Sequence, residues 1–338
     1  MDAAVDTLSA VGPSAWTPVY VRAGGGAPLV DWALVDGPFT DPFFEQTADR
    51  AMQHPFNQVF GRQTGLNDLD AMRASAPGVA PTGFIFHMSR CGSTLISQML
   101  SRLTATIVLS EPQPLDALLR LRPRMRRPQD EDVLVGWLRG MLSALAQPRA
   151  GENRLFVKFH AWHVLELPFI ARAFPGVPWV FVFREPRAVL QSQERNAGVE
   201  TFPGNLDPLY LGLDAEAAHA LPADEYRARI VAAFCGAALR HAAIGRARFI
   251  DYAGLPDTVV SQLLPFFGID PDDDEMQRVN DVAGINTKAS VKALEPFRGG
   301  AKGSGGVAAD GLAARWLDEP YAALRARAAS EASGDRGD

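Results

Sequence analysis

The sequence has little cysteine and no long apolar run. Only two of its 338 residues are cysteines, Cys91 and Cys235, which excludes a disulfide framework and favours a reducing compartment. No apolar stretch approaches the roughly 18 residues that span a bilayer. The first residues, 1–6, lack the basic and then apolar pattern of a signal peptide. We therefore expect a cytoplasmic protein without a membrane span.

An excess of positive charge is also missing. The formal net charge is −6, which argues against a nucleic-acid binder. His160 and His163 stand close together, but no cysteine or carboxylate joins them at the spacing of a zinc site, so no metal is expected. Hydrophobic residues make up 47% of the chain and charged residues 21%, values typical of a globular protein with a sizeable core.

The sequence does contain an alternation of short apolar runs with helical patterns. The runs that predict strands are 83–88, 106–109, 155–159, 179–183 and 248–252. This alternation predicts an α/β fold, with a central parallel sheet between two helical layers. In such sheets a ligand binds beyond the carboxyl ends of the strands.

Residues 1–80 have the least regular pattern. The stretch 40–47 is typical of a helix start, with a capping residue and a proline in the first turn. We expect residues 1–80 to form an N-terminal extension or cap packed on the core, and residues 81–338 to form the α/β domain. Structural padding without a role in a site is the alternative for the first segment.

The stretch HMSRCGSTLISQML, residues 87–100, predicts a tight loop between a strand and a helix. Such a loop aims backbone N–H groups and the positive end of a helix dipole at one point, which suits an anion. ATP-binding loops have a lysine before the hydroxyl pair. Here that lysine is absent, Arg90 precedes Gly92, and Ser93 and Thr94 supply the hydroxyls. An ordinary strand-to-helix turn with a capping pair is the alternative.

Charged residues follow the other predicted strands. Glu111 comes after the run 106–109, and Lys158 and His160 lie at the end of the run 155–159. Arg184 follows the run 179–183, and Ser192 lies two helical turns further on, so the two are candidates to hold a second phosphate. Surface arginines paired with nearby glutamates would explain the same stretch.

These residues resemble the motifs of the sulfotransferases that use 3′-phosphoadenosine 5′-phosphosulfate, PAPS. In that superfamily a loop with lysine or arginine ahead of S-G-T or S-G-S holds the 5′-phosphosulfate, and it is similar to Ser89–Thr94. An R-D-P-R segment followed by a helix serine binds the 3′-phosphate, and it is similar to Arg184–Arg187 with Ser192. The segment Ile250–Leu255, followed by 263–269, is similar to the superfamily's Y-E-D-L…F-L-G-I stretch.

Two groups within the superfamily share different features with this chain. The stretch Arg184–Glu194 and the pair Glu111-Pro112 are most similar to the carbohydrate O-sulfotransferases, whereas Lys158-Phe159-His160 is similar to the lysine-x-histidine of the cytosolic small-molecule enzymes. There are two departures. Cys91 stands where serine is usual, and the superfamily's late R-K-G-x-x-G loop is only loosely matched by 297–303, which a glycine-rich linker would also explain.

The resemblance implies a P-loop sulfotransferase-like fold and transfer of a sulfuryl group from PAPS to a hydroxyl or amine. The product would be adenosine 3′,5′-bisphosphate, and the acceptor could be a small molecule, a carbohydrate or a peptide. The residues it implies for cofactor binding are Arg90, Cys91, Gly92, Ser93, Thr94, Arg184, Ser192 and Arg298. No metal is implied, because a sulfuryl group carries less charge than a γ-phosphoryl group.

For the chemistry, the resemblance implies that Lys158 and Arg90 stabilise charge on the bridging oxygen as the bisphosphate leaves. The acceptor needs a base, either Glu111 or His160, and we favour Glu111 because Glu-Pro directly after a strand is the more specific match. Two other functions stay open from the sequence: a P-loop phosphotransferase that uses ATP, and a catalytically inactive nucleotide-binding protein.

Overall fold

The structure is a computed structural model that describes residues 15–22, 27–124, 127–284 and 307–334. The loop at 297–303 that was matched to a nucleotide-covering segment, with Arg298, lies outside these ranges.

A three-stranded antiparallel sheet forms the first part of the chain. Its strands are β1 (Trp16–Arg22), β2 (Leu29–Leu34) and β3 (Arg62–Gly65), in the order β1-β2-β3. Helices α1 (Phe44–Gln53) and α2 (Pro55–Val59) connect β2 to β3, and α3 (Asp68–Ser75) follows. The β1–β2 register shifts between Pro18 and Tyr20, as expected where proline lacks the N–H that a ladder needs.

The central sheet contains five strands in the order β5-β6-β4-β7-β8, and its registered pairs are parallel. The strands are β4 (Gly83–His87), β5 (Thr106–Ser110), β6 (Arg154–Lys158), β7 (Trp179–Phe183) and β8 (Ala247–Asp251). Every residue of β4 and β7 is buried, because helices flank the sheet. The predicted α/β class with a central parallel sheet is confirmed, and each predicted strand lies within one residue of its observed bounds.

Helices occupy each connection between the strands of this sheet. They are α4 (Ser93–Leu100), α5 (Gln113–Leu119), α6 (Pro128–Leu145), α7 (Leu167–Ala173), α8 (Pro186–Arg195), α9 (Ala215–Ala220) and α10 (Ala223–Arg240). Four helices follow β8: α11 (Leu264–Phe266), α12 (Asp273–Gly284), α13 (Val307–Trp316) and α14 (Asp318–Gly334). None of the helices in the described ranges is long and apolar enough to cross a membrane.

The chain divides into two compact units. The first contains residues 1–82, 100–158 and 172–175, and the second contains 83–99, 159–171 and 176–338. In the first unit Gly140 of α6 lies against Leu69 of α3, where a Cβ would come within 2.7 Å of the leucine Cβ. In the second unit α14 packs on β8. The functional division at residue 80 that the sequence suggests stays a prediction.

The helix predicted to start within 40–47 is α1, which begins at Phe44. Phe43 is its capping residue, so Pro42 precedes the helix and does not lie in the first turn.

Candidate functional site

The loop between β4 and α4 has an unusual backbone conformation. Ser89, Arg90 and Gly92 have φ values of 72°, 52° and 86°. A positive φ is uncommon outside glycine, and such strain is concentrated at functional sites. No residue in the described part of the chain accepts a hydrogen bond from the backbone N–H of Arg90 or Gly92. These donors are therefore open to an anion.

Glycine is required at position 92 for a second reason besides its φ. A Cβ there would lie 2.7 Å from Cδ2 of Tyr252 and 2.9 Å from a methyl group of Leu255. Tyr252 comes directly after β8, within the segment matched to Y-E-D-L. The loop is thus held closely against the end of a second strand.

The side chain of Cys91 points into the core of its unit. It is fully buried, and its Sγ donates to the carbonyl of Val182 at 3.1 Å. The backbone N–H of Met88 donates to the same carbonyl, also at 3.1 Å. The thiol therefore holds the loop against β7. It does not take the place of the hydroxyl that serine would supply to an anion at this position.

The two predicted phosphate-binding motifs meet directly. Nε of Arg90, in the loop, donates to Oγ of Ser192, on α8, at 2.9 Å. The serine hydroxyl acts here as acceptor, so its own proton stays available for another acceptor. Arg184, at the end of β7, donates from Nη1 to the carbonyl of Arg90 at 3.4 Å. Its guanidinium also lies 4.2 Å from the ring centroid of Tyr252.

The charges of this cluster repel one another. Burial lowers the pKa of Arg90 from its usual value, the neighbouring guanidiniums of Arg184 and Arg195 lower it further, and the carboxylate of Glu200 offsets part of this lowering. Among the described residues, neither Arg90 nor Arg184 has a carboxylate within ion-pair distance. Two adjacent guanidiniums without a carboxylate favour a bound anion, because it would relieve their repulsion.

Arg187, three residues after Arg184, has a different environment. Its guanidinium pairs with Glu185 at 3.4 Å, Asp310 at 3.1 Å and Asp318 at 3.0 Å. These carboxylates, first of all the hydrogen-bonded Asp318, raise the pKa of Arg187. The surface ion-pair interpretation of this motif thus applies to Arg187 and does not apply to Arg184.

A second cluster lies in the first compact unit, around Lys158 at the end of β6. Its Nζ lies 2.7 Å from Oε1 of Glu111 and 3.2 Å from Oγ of Ser110. The ring centroid of Phe43 lies 4.5 Å from the same nitrogen. Lys158 is 0% exposed, so it is not a surface lysine. Burial of an ammonium is tolerated only with such compensation.

Glu111 is held in place by its backbone as well as by its ion pair. Its φ is 56°, and its N–H donates to the carbonyl of Lys158 at 2.7 Å. Helix α5 begins at Gln113 and is capped by Pro112, so Glu111 lies one residue before the capping position. Its side chain is 20% exposed and therefore accessible to a proton donor.

His160, the other candidate base, lies in the second unit and precedes a short 3-10 helix, Ala161–Glu166. Its half-buried ring packs edge-on against His163, with centroids 5.3 Å apart. The structure thus groups Arg90, Arg184 and Ser192 in one cluster, and Glu111 with Lys158 in another.

Sequence reasoning missed the residues that support these clusters. Phe43 and Ser110 contact the Lys158 ammonium, and no motif marks either of them. Tyr252 lies in a matched segment, but its contact with Arg184 and its approach to Gly92 depend on tertiary packing.

No family model matches the sequence, and no curated protein matches it. Several solved structures are similar to the chain. Sulfotransferase STF9 from Mycobacterium avium is 15% identical, with a TM-score of 0.43 over 84% of this chain and 86% of that chain. The sulfotransferase domain from the curacin biosynthetic pathway is 15% identical, with a TM-score of 0.39 over 71% of this chain and 97% of that chain.

A sulfotransferase from Alicyclobacillus acidocaldarius is also 15% identical, with a TM-score of 0.39 over 64% of this chain and 96% of that chain. Identities and TM-scores this low do not carry the activity of those proteins over to this chain.

Proposed function

We propose that the protein is a sulfotransferase that moves a sulfuryl group from PAPS to a hydroxyl or an amine of an acceptor. The observation that carries this proposal is the hydrogen bond between Arg90 and Ser192. It joins a strand-to-helix loop and a second strand-to-helix junction, two motifs that were each expected to hold a phosphate. The motifs therefore contribute to one anion cradle.

The donors of this cradle fit the two anionic ends of PAPS. They are the guanidiniums of Arg90 and Arg184, the hydroxyl of Ser192, and the backbone N–H groups of Arg90 and Gly92. All are N–H or O–H groups, which bind phosphate and sulfate oxygens. By the resemblance, Arg90, Gly92, Ser93 and Thr94 would hold the 5′-phosphosulfate, whereas Arg184 and Ser192 would hold the 3′-phosphate.

When bound, PAPS supplies the sulfuryl group. The acceptor oxygen or nitrogen forms a bond to sulfur, the bond between sulfur and the bridging oxygen breaks, and adenosine 3′,5′-bisphosphate leaves. Such a transfer depends mainly on positioning and on charge stabilisation. Arg90, in the anion cradle, carries the positive charge that we assign to stabilising the bridging oxygen.

The acceptor proton passes to a base, which we take to be Glu111, with His160 as the alternative. Glu111 lies 2.7 Å from the ammonium of Lys158. A hydroxyl donor that joins this pair would be activated by the carboxylate and oriented by the ammonium.

Thermal unfolding with different nucleotides tests the proposal. A ligand at 100 times its Kd stabilises the folded state by about 2.7 kcal/mol. We expect adenosine 3′,5′-bisphosphate to raise the melting temperature, and ADP or ATP with magnesium to have little effect. Release of the bisphosphate from PAPS in the presence of a panel of hydroxyl and amine acceptors then tests turnover.

Each other outcome identifies a competing function. A shift with ATP and none with the bisphosphate would indicate a phosphotransferase and would contradict the roles given to Arg184 and Ser192. A shift with the bisphosphate but no turnover with any acceptor of the panel would favour an inactive nucleotide-binding protein.

A further inference from the structure

His87, the last residue of β4, connects the strand-to-helix loop to the backbone of Phe159. It is 5% exposed, and both of its ring nitrogens make hydrogen bonds. Nδ1 accepts from the backbone N–H of Ser89 at 3.1 Å. Nε2 lies 3.0 Å from the carbonyl oxygen of Phe159, the residue that follows β6.

These two partners determine the tautomer of the ring. The N–H of Ser89 is a donor, so Nδ1 must carry a lone pair and no proton. The carbonyl of Phe159 is an acceptor, so Nε2 must carry the proton. A neutral imidazole protonated on Nε2 satisfies both groups, whereas the other tautomer satisfies neither.

The hydrogen bond from Ser89 acts on the strained part of the loop. Ser89 and Arg90 both have a positive φ, a conformation that persists only when the surrounding structure enforces it. The hydrogen bond to Nδ1 fixes the direction of the N–H of Ser89. Arg90, the next residue, then directs its Nε to Ser192.

We propose that His87 is a positioning residue, whose Nδ1 holds the left-handed turn at Ser89 and Arg90 in its anion-binding shape. It acts through the backbone and needs no contact with the anion. The identity of the anion rests on the proposed function, but the tautomer and the role of His87 in the turn do not.

The tautomer can be measured on the unmodified protein. The chain has six histidines, so selective labelling with ¹⁵N-histidine gives a simple spectrum, and a His87→Asn variant identifies the signals of His87. At neutral pH we expect an unprotonated Nδ1 and a protonated Nε2. The opposite tautomer, or a doubly protonated ring, would overturn the proposal.

Two variants separate the two hydrogen bonds. The amide oxygen of asparagine is separated from Cβ by the same number of bonds as Nδ1 of histidine. The His87→Asn variant therefore keeps an acceptor for the N–H of Ser89. The amide nitrogen of glutamine is separated from Cβ by the same number of bonds as Nε2 of histidine. The His87→Gln variant therefore keeps a donor for the carbonyl of Phe159 and loses the acceptor for the N–H of Ser89.

Adenosine 3′,5′-bisphosphate is the probe, and its Kd is measured by titration calorimetry. We expect His87→Asn to bind within about threefold of the parent protein and His87→Gln to bind at least about tenfold more weakly, because one hydrogen bond that offsets backbone strain is lost. Melting temperatures without ligand serve as the control for folding.

Equal weakening in both variants, in parallel with their melting temperatures, would show that His87 only fills space and would overturn the proposal. If the parent protein does not bind the bisphosphate, the proposed function fails, and the tautomer measurement still tests the hydrogen bond from Ser89 to His87 on which the positioning role depends.

Discussion

Arg184 and Arg187 stand in one four-residue motif, yet their side chains have different partners. Arg187 is surrounded by the carboxylates of Glu185, Asp310 and Asp318, whereas Arg184 contacts the carbonyl of Arg90 and the ring of Tyr252. A guanidinium whose N–H groups already donate to carboxylates has few donors left for a bound anion. Arg187 is thus a matched control for Arg184.

We predict that Arg184→Ala weakens the binding of adenosine 3′,5′-bisphosphate about 10- to 100-fold, the effect of losing a hydrogen bond to a charged group. The melting temperature without ligand should stay close to that of the parent. Arg187→Ala should do the opposite, lowering the melting temperature with a Kd within about threefold of the parent. Calorimetric titration and thermal unfolding of both variants check this, and equal loss of binding would contradict the assignment.

The pair Lys158 and Glu111 allows a second prediction, which concerns stability. Lys158 is fully buried and Glu111 is 20% exposed. Glu111→Gln takes the carboxylate away from a buried ammonium, which costs about 3–5 kcal/mol of folding free energy. Lys158→Met leaves a carboxylate that water can reach, and methionine retains the apolar stem, so we expect a smaller loss.

Urea unfolding of the two variants and of the double variant gives the coupling energy. We expect the double variant to be more stable than the sum of the single losses predicts, because it no longer contains a charge without its partner. Both single variants should also lose turnover, by about 100-fold or more. Additive losses of stability, or a Lys158→Met variant as active as the parent, would contradict the roles given to this pair.

At the scale of elements, helix α1 contributes to the Lys158 cluster through its capping residue. Phe43 is half-buried, and its ring lies 4.5 Å from Nζ of Lys158. The negative face of an aromatic ring stabilises a cation by about 0.5–2 kcal/mol, more when the cation is desolvated. Helix α1 is therefore connected to the lysine of β6 by an electrostatic contact through its capping residue.

We predict that Phe43→Leu lowers the free energy of unfolding by about 1 kcal/mol and that Phe43→Tyr, which keeps the ring, does not. In a Lys158→Met background the cost of Phe43→Leu should fall, since no cation remains above the ring. Urea unfolding measures all four variants. An unchanged cost in that background would show that Phe43 acts through apolar packing alone.

The elements differ in how well the sequence predicted them. In the parallel sheet every residue of β4 and β7 is buried, and β5, β6 and β8 each have buried apolar residues at their centre, so the apolar pattern located all five strands. Strand β3, Arg-Gln-Thr-Gly, has no apolar residue and no buried one, and only its pairing with β2 makes it a strand. The antiparallel sheet of the first part of the chain was not predicted, and β3 has no pattern of its own from which it could be.

The candidate site shows the same difference. Arg90, Arg184 and Ser192 were found because they stand at strand and helix ends, where parallel sheets bind ligands. The partners of Arg187 at 310 and 318 are more than a hundred residues away, and the ring of Phe43 lies far from Lys158 in the sequence. Contacts made between distant segments leave no local pattern.

At the scale of the whole molecule, the net charge of −6 is opposite to the charge of the proposed anion cradle. The anion must therefore be held by local groups and not by the field of the protein. The cradle of Arg90, Arg184 and Ser192 lies entirely in the second compact unit. A cavity of about 520 Å³ in the first unit, lined by Leu34, Arg50 and His54 among others, is a different place where a small molecule could bind.

Hydrogen exchange with and without adenosine 3′,5′-bisphosphate distinguishes the two locations. A bound anion accepts hydrogen bonds from backbone N–H groups and suppresses local opening, so it slows their exchange. We expect slower exchange in peptides that cover 88–96 and 184–192, and unchanged exchange in those that cover 29–34 and 44–54. The Arg184→Ala variant, at the same ligand concentration, should lose most of the effect. Protection confined to 29–34 and 44–54 would place the nucleotide in the cavity, and the cradle would then need another ligand.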